Sequence, residues 1–173
     1  MLDADLFLEL AGIGGVFVGF GALIAVRSGS AIQAGEINDV RWVATTAIWV
    51  VIAALLPVVI GSYGPVGHEL WLVCAVVALG FLVVMTAVFS VTPENRADLA
   101  DNLANTPRAL IVAVMVPTFW LPFVVLIVAL VVVALGLYPD QERALYLTAV
   151  ALGLLMSALM LFVGVFWLRR RAT

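Results

Sequence analysis

The sequence predicts an all-α fold: a polytopic membrane bundle of five transmembrane helices in one domain spanning residues 1–173. Three observations predict it. First, 65% of the 173 residues are hydrophobic and only 11% are charged, against about 25% charged in an ordinary soluble domain. So few charges cannot cover a water-facing surface, and lipid as solvent removes the need. Second, five apolar stretches, at 6–26, 40–60, 70–91, 109–137 and 144–168, reach the length of about 20 residues that a helix needs to cross the hydrocarbon. Third, the arginines alternate along the connections as a positive-inside bias requires.

Helix is the state expected of each stretch, because an exposed backbone finds no hydrogen-bond partner in lipid. A barrel strand would need period-2 alternation, and the run 121–135 has none. The first stretch is not a signal peptide. Asp3, Asp5 and Glu9 stand where a positive region would be needed, and Arg27 follows the apolar run. That order suits an N-terminus outside.

Arg27 and Arg41 flank the first connection, Arg96 and Arg108 lie in the third, and Arg169, Arg170 and Arg171 follow the last stretch. The second connection has no arginine and the fourth has Arg143 alone. With five spans, an outer N-terminus and a cytoplasmic C-terminus, seven of the eight arginines face the cytoplasm. Arg27, Arg41, Arg169, Arg170 and Arg171 are the expected cytoplasmic charge anchors. Trp42, Trp71 and Trp167 stand near span ends, where interfacial anchors belong. Trp49 and Trp120 fall deeper, in packing or lipid contact.

The first span carries Gly12, Gly14, Gly15, Gly19 and Gly21. Ala11, Gly15 and Gly19 form a small-xxx-small stripe that admits a close neighbour. Ala11, Gly12, Gly15 and Gly19 are therefore the expected helix-packing residues, and the first span is expected at the centre of the bundle. The neighbour can be another span or another subunit. Glu9 is the one acid placed inside a span, and an intramembrane carboxylate is a candidate ion or proton site. Set against that, it lies near the outer end, and on the helical wheel it falls on the bulky side.

The fourth span holds Pro117 and Pro122. Each proline removes a backbone donor, freeing the carbonyls of Ala113 and Thr118. Pro117 and Pro122 are the expected kink or gate, and Thr118 joins Glu9 as a candidate site residue. Pro57 in the second span predicts a mild kink. Thr92-Pro93-Glu94 reads as a cap, a first-turn proline and an acid at the positive helix end. It predicts a short, net acidic cytoplasmic helix over 93–105 that could connect spans or dock a partner.

His68, the one histidine, and Cys74, the one cysteine, exclude an intrachain disulfide and a Cys/His zinc cage. His68 and Glu69 are sequence neighbours in an outer loop with no third group in view, so a surface role is expected. The spans offer no nucleophile with a base, no paired aspartates and no metal ligands, so neither an enzyme nor a cofactor is expected. A net charge of −3 argues against nucleic acid. The absence of lysine and the Ala, Val, Leu and Gly bias suit a GC-rich bacterial genome, and the expected location is the bacterial inner membrane. Two functions fit: an oligomeric, channel-like permeation protein, or a non-catalytic scaffold or accessory subunit that docks a membrane partner.

Overall fold

A computed structural model describes residues 4–28, 34–91 and 120–171, with side chains described at 4–23, 42–88, 91 and 120–162. Every regular element among them is helical. The helices are α1 (Ala4–Ser28), α2 (Ala34–Gly61), α3 (His68–Val91), α4 (Leu121–Ala134) and α5 (Glu142–Arg171), with a short 3-10 turn at Pro139–Gln141 before α5. Four segments are long and apolar enough to cross a membrane: Ala4–Leu23, Trp42–Gly61, His68–Val88 and Pro139–Phe162. Their length and composition suit a membrane-embedded helical bundle. α4 has 14 residues, about 21 Å at 1.5 Å per residue, and the first part of the expected fourth span, at 109–119, lies outside the described residues. So does the expected acidic helix at 93–105.

Antiparallel neighbours follow from short connections. The 62–67 connection joins α2 to α3, and 135–141 joins α4 to α5. Both lie at one end of the bundle, termed here the upper end, together with the start of α1. Gly64 and Gly67 take positive φ values of 106° and 65°, which L side chains rarely adopt, so the 62–67 turn is written into these two glycines.

Among the described residues the packing centre is not the first span. α1 packs mainly along α2, α3 packs on both α2 and α4, and α5 packs on α2 and α4. The reason is visible in the core. Its buried residues concentrate on α2 (Trp49, Val50, Ala53, Ala54) and α5 (Tyr146, Ala149, Val150), whereas α1 supplies Phe7 and Ala11. The two central helices approach closely because Gly153 of α5 lies flat against the Trp49 indole. A Cβ built on Gly153 would come 2.6 Å from Trp49 Cζ3 and 3.0 Å from Val50 Cγ2. No methyl fits there.

Trp49 is therefore a core residue, 2% exposed, and its indole N–H donates to the Ala78 carbonyl of α3 at 3.0 Å. One side chain thus ties α2, α3 and α5 together. Trp71 is also buried, contrary to its expected interfacial place. It makes tilted ring contacts with Tyr146 of α5 and Phe7 of α1, with ring centroids 5.6 and 6.1 Å away, and Phe7 and Tyr146 complete the triangle at 6.3 Å. Such pairs add about 0.5–1.5 kcal/mol beyond area burial. They fasten α1, α3 and α5 near the upper end. Trp120 is exposed, as a lipid-contacting ring would be.

The fit at Gly153 predicts a sharp contrast. Gly153→Ala should lose about 1–3 kcal/mol through overpacking, despite the better helix propensity of alanine. Gly80→Ala on α3, where nothing lies within 4 Å of the added methyl, should be neutral or gain up to about 1 kcal/mol. Thermal unfolding of the two variants in one detergent checks it.

Candidate functional site

α2 contains Pro57 in its interior, fully buried. Proline has no N–H, so the carbonyl of Ala53, four residues earlier, loses its helical donor. In lipid that loss costs more than in water, because no solvent can replace the donor. The Tyr146 hydroxyl of α5 supplies it, donating to the Ala53 carbonyl at 2.7 Å. From the sequence alone Pro57 reads as a mild kink and Tyr146 carries no signal. The i−4 rule gives the orphaned carbonyl, but nothing in the sequence says which helix meets it.

One turn before Tyr146 on the same helix stands Glu142, with 3% of its side chain exposed. Its carboxylate Oε1 is bonded to Nδ1 of His68, the first residue of α3. His68 is the more open partner, with 44% of its side chain exposed. The ring also rests on Gly136. A Cβ built there would come 2.7 Å from the imidazole Cε1 and 3.2 Å from Nε2. Gly136 ends α4 with φ of 63°. Its N–H bonds to the Val133 carbonyl and the Leu137 N–H to the Val132 carbonyl, the paired closure of a left-handed helix cap. Glycine thus serves the cap and the ring at once. His68 keeps the exposed position expected of it and also joins this three-element junction, which local pattern does not show because its partner lies 74 residues away. Glu69, its neighbour, is exposed.

The candidate residues on α1 divide by face. Phe7, Ala11, Gly14 and Gly21 are buried. A Cβ on Gly14 would come 2.9 Å from Val51 Cγ2, and one on Gly21 would come 3.6 Å from the Ala44 Cβ, so these two glycines make the close approach to α2. Gly12, Gly15 and Gly19 are exposed, with nothing within 4 Å of a built Cβ. Among the described residues they open outward. Glu9 and Asp5 are exposed as well. At about 100° per residue, Asp5, Glu9, Gly12 and Gly19 share the side opposite Phe7 and Gly14. Glu9 falls closest to the exposed Val16 and Phe20, within about 20° of each and about 60–120° from Gly12, Gly19 and Gly15, on the bulky side that the wheel gives. Which way that side faces is set by α2.

Pro122 stands in the first turn of α4, preceded by a helical Trp120. Proline is tolerated there because the first N–H groups of a helix have no intrahelical acceptor. Pro117 and Thr118 lie outside the described residues, as do the side chains of Arg27, Arg41, Arg169, Arg170 and Arg171. Toward the lower end, a cavity of about 50 Å³ lies among α2, α3, α4 and α5, walled by Trp42, Trp49, Met85, Phe123, Met156 and Met160 among others. Two hydroxyls on its wall are taken up by their own helices, Thr46 on the Trp42 carbonyl and Thr86 on the Leu82 carbonyl. Among the described residues no group of three or more His, Cys, Asp or Glu side chains could hold a metal ion.

The junction at Gly136 makes a separable prediction. Gly136→Ala should cost about 1–3 kcal/mol, the left-handed backbone and the collision with His68 both contributing. His68→Ala in the same chain should relieve the collision and leave the backbone part. Chemical unfolding of the two single variants and the double variant measures the split. Comparison with protein-family models, with curated proteins and with solved structures finds no match for this chain.

Proposed function

We propose that this chain is a non-catalytic, five-span protein of the bacterial inner membrane, with its N-terminus and upper end outside. In this reading it assembles as a homo-oligomer and supports permeation of a small solute between subunits. The observation that carries the reading is the two-sidedness of α1. Gly14 and Gly21 are closed on α2, while Gly12, Gly15 and Gly19 offer a second small-residue face that no described residue covers. In lipid, helices associate through such faces, where backbones approach and dispersion and weak Cα–H contacts add up.

Two further features support it. Among the described residues the interior is filled: Trp49, Tyr146, Leu126 and Leu130 are buried, and the cavity of about 50 Å³ is no passage. A route is therefore placed between subunits, as closed symmetry allows. Asp5 and Glu9 also lie on the open side of α1. A carboxylate held against lipid is costly, whereas around a symmetry axis the same groups form a wet, cation-attracting mouth.

The test is the mass of the purified chain in nanodiscs, with solute flux in liposomes. A discrete oligomer with flux is expected. Gly15→Leu with Gly19→Leu should yield helical monomers without flux, and Glu9→Gln should keep the oligomer but cut cation flux severalfold. A monomer that conducts alone contradicts the reading. A monomer recovered only with a second membrane protein favours the accessory-subunit alternative.

A further inference from the structure

The His68–Glu142 contact joins three helix ends, of which only those of α4 and α5 are linked by a turn. His68 opens α3, Glu142 opens α5, and the ring lies on the glycine that closes α4. The burial is unequal: Glu142 is withdrawn from solvent and His68 is half open to it. A buried carboxylate is costly unless it is paired. Its partner here is the one side-chain type whose ordinary titration falls between pH 5 and 8.

We propose that His68 and Glu142 form a proton-responsive clasp that tightens the upper ends of α3, α4 and α5 when His68 is protonated. The cation makes a charge-assisted hydrogen bond, roughly twice as strong as a neutral one. Neutral imidazole keeps one N–H toward the carboxylate and loses the ion pair. The clasp is therefore tighter with the imidazolium than with the neutral ring. Among the described residues, the other titratable or charged groups at this end are Asp5 and Glu9 on α1, Tyr63 before α3, Glu69 and Cys74 on α3, Tyr138 and Asp140 before α5, and Arg143 and Tyr146 on α5. Apart from Cys74, whose thiol is buried, none belongs to a side-chain type that ordinarily changes charge between pH 6 and 8. The acids favour the cation, and Arg143 opposes it. In the proposed orientation the clasp samples the medium outside the cell, but the inference does not depend on oligomer or flux.

The experiment uses the full chain in nanodiscs. Because the chain has a single histidine, the ¹⁵N imidazole signals belong to His68 alone and report its protonation directly. In parallel, amide exchange over 62–71 and 135–146 is followed from pH 6 to pH 8 and corrected for intrinsic rates. Protection of both segments should fall about fivefold or more across that range, in step with the imidazole titration, while α2 around Trp49 stays constant. His68→Gln, which keeps an N–H donor but does not titrate, should be flat with pH. The same pH dependence in His68→Gln overturns the proposal. So does a wild-type imidazole that titrates without any change in exchange, or one that does not titrate across this range. The last two readouts need no variant to fold.

Discussion

The hydrogen bond from the Tyr146 hydroxyl to the Ala53 carbonyl is the interaction on which the bundle turns. Pro57 withdraws a donor from the interior of α2, in a solvent that cannot replace it. A helix in that state is stable only against a neighbour that brings a hydroxyl to the right height. α5 does so at 2.7 Å. That bond fixes the register of the two central helices, and much else follows. Gly153, two turns further along α5, meets the Trp49 indole. Trp49 in turn reaches Ala78 of α3. Tyr146 itself presents its ring to Trp71 and Phe7. α1 is then held by its aromatic contact above and its glycines along α2.

Association inside a membrane gains little from burying apolar surface, since lipid is as apolar as leucine. What remains is close fit and satisfied polar groups, and this chain divides the two between ends. Near the upper end the polar and aromatic pairings dominate: Tyr146 with Ala53, His68 with Glu142, and the Phe7–Trp71–Tyr146 triangle. Toward the lower end the walls are thioethers, rings and threonines bonded to their own helices, around the small cavity. Ser157 follows the same rule, buried and bonded to the Gly153 carbonyl of its own helix. The upper end is thus cross-linked between helices and the lower end is packed.

Much of the helical content was legible in the sequence, for a simple reason. Length and polarity are one-dimensional properties, and the four long apolar segments read directly from them. Direction around a helix is not. The period of α1 was plain, but which of its glycines faced a neighbour depended on where α2 lay. Gly14 and Gly21 closed on α2 while Gly15 and Gly19 stayed open. Pairings across long separations were equally hidden. His68 found Glu142, and Pro57 found Tyr146 through Ala53, over separations of 74 and 93 residues for the two hydrogen bonds. The one local signal was Pro57 itself, which announced an orphaned carbonyl and hence a donor elsewhere. Trp71 misled because position near a span end resembles an anchor whether the ring turns to lipid or to the core.

The central claim is that Tyr146 answers the defect that Pro57 creates. A double-mutant cycle of Tyr146→Phe and Pro57→Ala, read by reversible unfolding in one detergent, tests it most directly. Pro57→Ala restores an N–H for the Ala53 carbonyl, so the hydroxyl should then matter less. The account predicts that Tyr146→Phe costs about 1–2 kcal/mol with proline present and no more than about half of that with alanine, a coupling at the upper end of interhelical hydrogen bonds in membranes. An equal cost in both backgrounds would contradict it.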